Sequence, residues 1–218
     1  MIRILLVEDH HLVRKGIKAL LEKVDDLKIL GEAENGLQAV EMIQDLNPDV
    51  IIMDINMPKL NGIQAAKQIR EINSKIHIVI LSMYVDDAIV RQAFEAGVEG
   101  YLLKRSLSEE LVLAIKSVSR GDIYLSPGIS RAVVGSYLET SSLKKIQSPL
   151  ETLTARELQV MQLISEGNTT KTISSDLGVS VKTVEKHRTS MMTKLNLHDI
   201  AGVVRFAIRH GIIFLDED

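Results

Sequence analysis

A single aspartate ends an apolar run in the middle of this chain. The stretch VIIMDINMPKLNG, residues 50–62, starts with residues suited to a buried strand, reaches Asp54 and then turns towards Gly62. A carboxylate in that position is either a solvated turn residue or a group held in place to react. The ends of the neighbouring apolar runs bear on this choice.

Other polar side chains follow the neighbouring apolar runs. The first run ends at Glu8 and Asp9, the fourth at Ser82 and the fifth at Lys104. If the runs are parallel strands of one sheet, their carboxyl ends share an edge and these side chains converge. Closely spaced carboxylates repel one another, and a hard divalent cation such as Mg²⁺ relieves that repulsion. Asp54 would then be a nucleophile that forms an acyl phosphate, with Ser82 and Lys104 on the phosphoryl oxygens.

Two histidines, His10 and His11, come directly after the acid pair. They could indicate a histidine-ligated metal, but no second histidine cluster supports one. We therefore interpret them as residues without a metal role.

Five short apolar runs alternate with segments of helical periodicity in the first part of the chain. The runs are Ile2 to Val7, Lys28 to Ala33, Val50 to Met53, Ile76 to Leu81, and Gly100 to Leu103. Several are almost continuously apolar, as strands covered on both faces must be. The pattern predicts an α/β doubly wound fold with a parallel five-stranded sheet, of the flavodoxin-like kind.

The alternation stops after Gly121, and the composition changes. Residues 126–152 are rich in Ser, Gly and Pro, with a short helix-capable piece around Ser130 to Leu138. Such a segment is typical of a linker. The sequence therefore predicts a first domain at 1–122, a linker at 123–149 and a second domain at 150–218.

The second domain has helical periodicity throughout and is predicted to be a small all-α, four-helix unit. Thr154 and Glu157 form a capping-box pattern before its first helix. A short second helix reaches Leu177, a tight turn follows at Gly178, and Ser180 caps a longer basic helix. A short helix, a glycine turn and a longer basic helix together predict a helix-turn-helix.

The longer helix carries a net charge of +3 over residues 182–194. Its cations are Lys182, Lys186, Arg188 and Lys194, against Glu185, while Val181, Val184, Met191 and Leu195 are expected to face the core. A helix of this kind enters a major groove, where cations neutralise phosphates and a few side chains contact base edges. A solvated amphipathic helix is the alternative.

Composition limits the compartment and the partners. The 218 residues include no cysteine, which excludes disulfides and thiolate metal sites. The longest uncharged stretch, Ile76 to Val85, is shorter than the roughly 20 residues that span a bilayer. We therefore expect a cytoplasmic protein with no membrane partner. Residues 1–125 hold 15 Lys/Arg against 19 Asp/Glu, whereas residues 171–209 hold 7 against 3, which favours two modules with different partners.

These motifs resemble a known family over essentially the whole chain. LLVEDHHLVRKGI, DINMPKLNG, LSM and AGVEGYLLK resemble the receiver domain of a bacterial response regulator. LTARELQVM, TVEKHR and the following KL resemble the LuxR-type helix-turn-helix domain. Together they resemble the NarL/FixJ family of transcriptional response regulators, which are not enzymes.

The resemblance implies roles for the residues at the strand ends. Asp54 would be the phosphoacceptor, Asp9 a Mg²⁺ ligand, and Glu8 a residue that assists through water. The backbone carbonyl of Asn56 would complete the protein ligands. The remaining roles are a hydroxyl switch at Ser82, a rotating aromatic at Tyr101 and a phosphoryl-binding lysine at Lys104.

The resemblance also implies DNA contacts and partners. Glu185, Lys186 and Thr189 would meet base edges, and Lys171, Thr183, His187 and Arg188 would be phosphate or framework contacts. The partners would be a sensor histidine kinase, double-stranded promoter DNA, a second copy of the chain and RNA polymerase. The last helix, Asp199 to His210, either forms a dimer seam with Ala201, Val203, Val204, Ala207 and Ile208 or packs in the core against the recognition helix.

Two alternatives come from other functional classes. Asp54 followed by Asn56 loosely resembles an aspartate-nucleophile phosphohydrolase, although those enzymes generally have a second acid where this chain has Asn56. A DNA-binding regulator that works without phosphorylation is the other alternative. The presence of acceptor, acids, hydroxyl and lysine argues against it.

Overall fold

A computed structural model describes residues 1–129 and 149–214 of the chain. The chain forms two compact units, the first of which contains residues 1–129 and the second residues 149–214. The helix predicted around Ser130 to Leu138 lies outside the described residues. Within the described residues, no helix is both long enough and apolar enough to cross a membrane.

The first unit is built on a parallel sheet with the strand order β2-β1-β3-β4-β5-β6. Its strands are β1 (Ile2–Val7), β2 (Leu27–Ala33), β3 (Val50–Asp54), β4 (His77–Ser82), β5 (Gly100–Leu103) and β6 (Tyr124–Leu125). The predicted doubly wound α/β fold is confirmed. Asp54 and Ser82 are the last residues of their strands, so both lie at the carboxyl edge of the sheet.

The sheet has one strand more than the five predicted. Tyr124 and Leu125 pair with Gly100 and Tyr101 in the segment that the sequence analysis assigned to the linker. A two-residue strand carries no periodicity that a sequence pattern could reveal. It forms because β5 would otherwise present an unpaired edge of N–H and C=O groups.

Five helices connect the strands of the first unit. They are α1 (His11–Leu21), α2 (Gly36–Leu46), α3 (Gly62–Ile72), α4 (Asp87–Glu95) and α5 (Leu107–Val118), with a short 3₁₀ helix at Lys104–Ser106. Side chains of Asn35, Asn61 and Asp86 accept hydrogen bonds from the first turns of α2, α3 and α4. After α2, Asn47 takes the left-handed conformation (φ 44°) that ends a helix before Pro48.

Both faces of the central strands are covered. Ile4 and Leu6 of β1 share an apolar cluster with Ile17 of α1 and Leu111 of α5. The intervening Leu5 points the other way and is equally buried, and α2 packs against β1 and β2. Two-sided burial explains why these strands read as continuous apolar runs.

The second unit contains the four predicted helices, after a 3₁₀ helix at Pro149–Thr152. They are α6 (Ala155–Ser165), α7 (Thr170–Asp176), α8 (Val181–Lys194) and α9 (Ile200–Arg209). The capping box of Thr154 and Glu157 is present, and Ser180 caps α8 by accepting a hydrogen bond from Thr183 N. The helix-turn-helix of α7 and α8 is therefore in place.

The core of this unit takes three of the four side chains that were expected to face it from the longer basic helix and the residue after it. Val184 and Met191 are buried in it, and Leu195 packs against it. Val181 was expected to face the core, but it is 43% exposed. It is the first residue of α8, where the helix has not yet reached the part that packs on the core.

Candidate functional site

Polar side chains gather at the carboxyl edge of the first sheet. Glu8 follows β1, Asp54 ends β3 and Lys104 follows β5. Glu8 is fully buried, and Asp54 is only 3% exposed. The adjacency of β1 to β3, and of β4 to both β3 and β5, brings these residues to one place although they are far apart in the chain.

Lys104 bridges two buried carboxylates. Its Nζ atom lies 2.7 Å from Oδ2 of Asp54 and 2.9 Å from Oε2 of Glu8. A buried charge is tolerated only where it is paired and hydrogen-bonded. The lysine therefore balances part of the negative charge that these carboxylates bring into the pocket.

The acidic cluster has the donor set of a hard cation site. Ligating atoms of Glu8, Asp9, His10 and Asp54 all lie within 4.8 Å of one another. Oε2 of Glu8 and Oδ1 of Asp9 are buried, and neither accepts a hydrogen bond from a described residue. Oε2 of Glu8 has an ion-pair contact with Lys104, and Oδ1 of Asp9 has one with His10. Buried carboxylate oxygens left in this state suit a divalent cation with oxygen ligands.

His10 takes part in this cluster, which the sequence analysis did not expect. Its Nδ1 atom lies 2.9 Å from Oδ1 of Asp9 and 3.2 Å from Oε1 of Glu8. The negative charge of Asp9 raises the pKa of the imidazole, and that of Glu8 adds to the effect. His10 is thus an ion-pair partner of the two acids.

The carboxyl group of Asp54 has an unusual affinity for protons. Burial raises its pKa to about 6, against the opposing charge of Lys104, and the charges of Glu8 and Asp9 raise it further. A carboxylate with this pKa is a stronger base than an ordinary aspartate. It is still mainly ionised at neutral pH, the state in which a carboxylate can act as a nucleophile.

The turn after Asp54 depends on a glycine. Gly62 N donates to the carbonyl of Ile55 at 2.9 Å, and a Cβ atom on Gly62 would lie 2.1 Å from the carbonyl oxygen of Asp54. A side chain there would push the turn away from the strand end. Asn56, two residues beyond Asp54, is half-buried, and its role as a backbone ligand stays a prediction.

Ser82 and Tyr101 lie on the neighbouring strands and share one partner. Ser82 Oγ accepts a hydrogen bond from Tyr84 N at 2.9 Å, and the Tyr101 hydroxyl donates to Tyr84 O at 3.2 Å. The Tyr101 ring is fully buried, and burial raises the pKa of its hydroxyl to about 12, so it remains a donor. The switch roles implied for Ser82 and Tyr101 stay predictions.

Arg14 is a functional candidate that the sequence analysis missed. The side chain is 7% exposed, and its Nη1 atom donates to the carbonyl of Glu8 at 2.5 Å. Its position on α1 falls in the buried stripe with Ile17 and Leu21. A charged residue in an apolar stripe was the signal that could have revealed it.

The predicted DNA-contact residues form a mainly exposed surface on α7 and α8. Lys171, Lys182, Glu185, Lys186 and Thr189 are exposed, while Thr183, His187 and Arg188 are half-buried. Exposed side chains on one helix of a helix-turn-helix are free to enter a groove. The individual contacts stay predictions.

Lys194 differs from the other cations of α8. Its Nζ atom lies 2.7 Å from Oε2 of the buried Glu157, whose Oε1 accepts from Ser190 at 2.5 Å. Burial alone would raise the pKa of Glu157, but hydrogen bonds from Lys194, Ser190 and Thr154 outweigh it and lower the pKa to about 2. Lys194 therefore ties α8 to α6, and the +3 charge of the sequence analysis overstates what α8 offers to DNA.

The last helix divides between the two roles left open. Val203 and Ala207 are fully buried in the core cluster, and α9 packs mainly on α6. Val204 and Ile208 are half-buried, and Ala201 is exposed. The first pair packs in the core, mainly on α6, whereas the prediction had named the recognition helix. A dimer seam formed by the remaining three stays a prediction.

Comparisons with known proteins assign both units. The family model for the response regulator receiver domain matches residues 4–116, and the model for bacterial regulatory proteins of the luxR family matches residues 151–207. Neither match includes any residue of the predicted linker, 123–149. The two matches correspond to the two compact units of the fold.

Relatives match this chain over nearly their full length. The response regulator UvrY of Escherichia coli (strain K12) is 37% identical over 97% of this chain and 96% of its own length. The transcriptional regulatory protein LiaR of Bacillus subtilis (strain 168) is 38% identical over 98% of this chain and 100% of its own. A structure of the two-component response regulator RcsB in complex with DNA matches with a TM-score of 0.59 and 25% identity, over 94% of this chain and 96% of that one. This chain therefore belongs to the NarL/FixJ family of response regulators and joins a receiver domain to a LuxR-type DNA-binding domain that regulates transcription.

Proposed function

We propose that this protein is phosphorylated on Asp54 by a sensor histidine kinase and that the phosphorylated form regulates transcription. One observation carries the proposal. The Asp54 carboxylate is 3% exposed, lies 2.7 Å from Lys104 Nζ and belongs to the cluster with Glu8 and Asp9. A solvated turn residue has no such surroundings, and a carboxylate held to react has them.

The chemistry assigned to Asp54 is a phosphoryl transfer. One carboxylate oxygen forms a bond to phosphorus while the bond from phosphorus to the leaving group breaks, and the leaving group keeps the electron pair. The leaving group is the kinase histidine or the acetate of acetyl phosphate. Lys104 donates to the phosphoryl oxygens, whose charge it balances in place of the free carboxylate.

Receiver domains typically bind a metal at an acidic pocket of this kind, and we assign Mg²⁺ to this one. Asp9, Asp54 and the backbone carbonyl of Asn56 would be its ligands, and Glu8 would act through a water molecule. When bound, Mg²⁺ supplies positive charge that offsets the acids and the incoming phosphodonor. The choice of this metal rests on its preference for oxygen ligands and phosphate.

The switch is assigned to Ser82 and Tyr101. A phosphoryl group adds roughly −1.5 to −2 charges and strong acceptor oxygens next to Ser82. If the Ser82 hydroxyl turns to donate to it, Tyr84 N loses its acceptor, and the Tyr84 carbonyl that holds Tyr101 shifts with it. The change would alter the surface formed by α4, β5 and α5.

The output is assigned to the second domain. Lys171, Lys182, Thr183, Glu185, Lys186, His187, Arg188 and Thr189 would contact promoter DNA. Phosphorylation would favour a homodimer, whose two α8 helices match inverted half-sites, and RNA polymerase would be a further partner. The cytoplasmic location stays a prediction, as do the bounds 1–122, 123–149 and 150–218, although the pairing of Tyr124 and Leu125 favours a receiver that extends past 122.

Labelling with radioactive acetyl phosphate in Mg²⁺ tests the assignment of Asp54. We expect wild type and the exposed control Asp45→Asn to take up label, and Asp54→Asn to take up none. Undiminished labelling of Asp54→Asn would refute the assignment. EDTA should abolish labelling of the wild type.

The same preparation separates the alternatives. A phosphohydrolase would turn over p-nitrophenyl phosphate many times, whereas the proposed function predicts one phosphoryl group per chain and its slow loss. A regulator that works without phosphorylation would bind DNA equally well before and after acetyl phosphate. We expect tighter binding after it, together with a doubled mass in solution.

A further inference from the structure

Arg14 places a positive charge inside the receiver without contacting the reacting carboxylate. It is 7% exposed, and it lies in the buried stripe of α1. We propose that Arg14 is a positioning residue, which holds the peptide group between Glu8 and Asp9 and so keeps both carboxylates in the acidic cluster that would hold the metal. The proposal rests on the proposed function and adds a residue to it.

The guanidinium group is held from three sides. Nη1 donates to the carbonyl of Glu8 at 2.5 Å, Nη2 donates to Oε1 of Glu34 at 2.7 Å, and Nε lies 3.4 Å from Oε2 of Glu32. Because the group is planar, the two glutamates also set the direction in which Nη1 points. Arg14 is therefore a rigid link from the β2 side of the pocket to the end of β1.

The peptide group that receives this hydrogen bond carries the acid pair. The carbonyl of Glu8 and the amide of Asp9 belong to one planar unit, and Glu8 N is itself fixed by a 3.0 Å hydrogen bond to the carbonyl of Ala33. If the peptide rotates, Asp9 moves with it. The hydrogen bond to the Glu8 carbonyl thus fixes the position of the Asp9 Cα atom, from which the Asp9 side chain extends.

The other contacts of the acid pair reach its side chains. The Glu8 carboxylate contacts His10 and Lys104, and His10 is itself largely exposed, with 61% of its side chain accessible. Oδ1 of Asp9 lies 2.9 Å from the same imidazole and accepts no hydrogen bond from a described residue. Arg14 therefore adds a buried anchor on the backbone to contacts that otherwise reach only the two carboxylate side chains.

Arg14 acts through a carbonyl, so its loss should change metal affinity more than the phosphoryl transfer itself. Removal of residues that orient metal ligands typically costs about 10- to 100-fold in metal affinity. We expect the dissociation constant for Mg²⁺ to rise about 10-fold in Arg14→Met. Acetyl phosphate labelling at saturating Mg²⁺ should stay close to that of the wild type.

The test compares full-length variants that remain folded by circular dichroism. Arg14→Met removes the fork and keeps an apolar stem, and Arg14→Lys keeps the charge but offers no rigid fork. Lys18→Met is the matched control, because Lys18 also lies on α1 and pairs with Glu32 at 2.7 Å. Calorimetric titration with MgCl₂ gives the affinity, and ¹⁵N NMR of the metal-free protein follows the Asp9 amide.

The expected pattern is specific to positioning. Arg14→Met should weaken Mg²⁺ binding about 10-fold and shift or broaden the Asp9 amide signal, Arg14→Lys should fall between it and the wild type, and Lys18→Met should change neither. If Arg14→Met binds Mg²⁺ like the wild type and the Asp9 amide signal does not move, the positioning role of Arg14 is overturned, while the proposed function stands. A wild type that binds no Mg²⁺ would overturn the proposed function and this inference together.

A second variant covers the case in which Arg14→Met does not fold. Glu34→Ala removes the 2.7 Å anchor of Nη2 from a residue whose side chain is 63% exposed, so folding should survive. We expect the Mg²⁺ dissociation constant to rise about threefold, which is less than the rise expected when an orienting residue is lost completely. An unchanged constant would again count against Arg14 as a positioning residue.

Discussion

The ammonium nitrogen of Lys104 lies 2.7 Å from Oδ2 of Asp54, across a separation of 50 residues in the chain. It also lies 2.9 Å from Oε2 of Glu8, so one cation serves two buried acids. The arrangement leaves Asp54 ionised next to an ammonium group that the proposed function assigns to the phosphoryl oxygens. Several consequences of this contact can be measured.

Lys104→Met should slow phosphorylation of Asp54 strongly. The variant removes the donor to the phosphoryl oxygens, and loss of one positioned donor costs about 100-fold or more in rate. The initial rate of labelling by acetyl phosphate at saturating Mg²⁺ measures the effect. Lys116→Met is the control, because Lys116 pairs with Asp26 at 2.9 Å on the outer side of α5; equal rates for both variants would contradict the role of Lys104.

Asp54 should titrate near pH 6 in the metal-free protein, well above the ordinary value of 3.8. Burial raises its pKa, so the reactive carboxylate is lost as the pH falls through about 6. Added Mg²⁺ should lower the midpoint, since a cation favours the charged form, and Lys104→Met should raise it.

Carboxyl ¹³C NMR as a function of pH provides the measurement. Asp49 is an internal comparison, because a hydrogen bond from Arg3 lowers the pKa of that carboxyl below its ordinary value. The titration midpoint of Asp54 should therefore lie above 3.8 and that of Asp49 below it, since 3.8 is the ordinary pKa of both carboxyl groups. An Asp54 midpoint at or below that of Asp49 would contradict the buried, acid-rich pocket.

Glu157 should make the stability of the DNA-binding domain depend on acid pH. Its pKa is about 2 in the folded chain, against an ordinary 4.5. A lowered carboxyl pKa stabilises the fold above the unfolded value, and this contribution is lost as the pH falls from about 4.5 towards 2. At neutral pH the contribution is on the order of 3 kcal/mol.

Urea unfolding of wild type and Glu157→Gln, followed by circular dichroism, tests this prediction. The difference in free energy of unfolding should be largest at neutral pH and should shrink as the pH approaches 3. Glu151→Gln, at an exposed position in the preceding 3₁₀ helix, should match the wild type throughout. A constant difference across this pH range would contradict the contribution of Glu157 ionisation.

Lys186→Ala should weaken DNA binding by about 10-fold, since a base-edge contact is worth roughly 1–3 kcal/mol. The probe is a duplex selected from random sequence by the wild-type protein, and fluorescence anisotropy measures the affinity. Arg209→Ala removes an exposed cation of α9 to which we assign no DNA contact, and its affinity should be unchanged. Wild-type affinity of Lys186→Ala would exclude this residue from the interface.

Local sequence patterns determined most of the architecture of this protein. Continuous apolar runs indicate strands that are covered on both faces, and the strand bounds found differ by only a residue or so from those predicted. Caps such as Thr154 with Glu157, and Ser180, identified helix starts because a cap is a short-range hydrogen bond between residues three apart. The order of polar residues after the strands likewise indicated one pocket, since parallel strands bring their carboxyl ends to the same edge.

Tertiary structure alone decided the contacts between distant residues. The sequence does not indicate that Arg14 donates to the carbonyl of Glu8, that Lys194 pairs with Glu157 or that the Tyr101 ring is fully buried. Nor does it indicate the two-residue strand Tyr124–Leu125, which exists only because β5 offers a partner. The physical reason is the same in each case: a long-range hydrogen bond or ion pair depends on where two backbones meet, and hydrophobic periodicity carries no information about that distance.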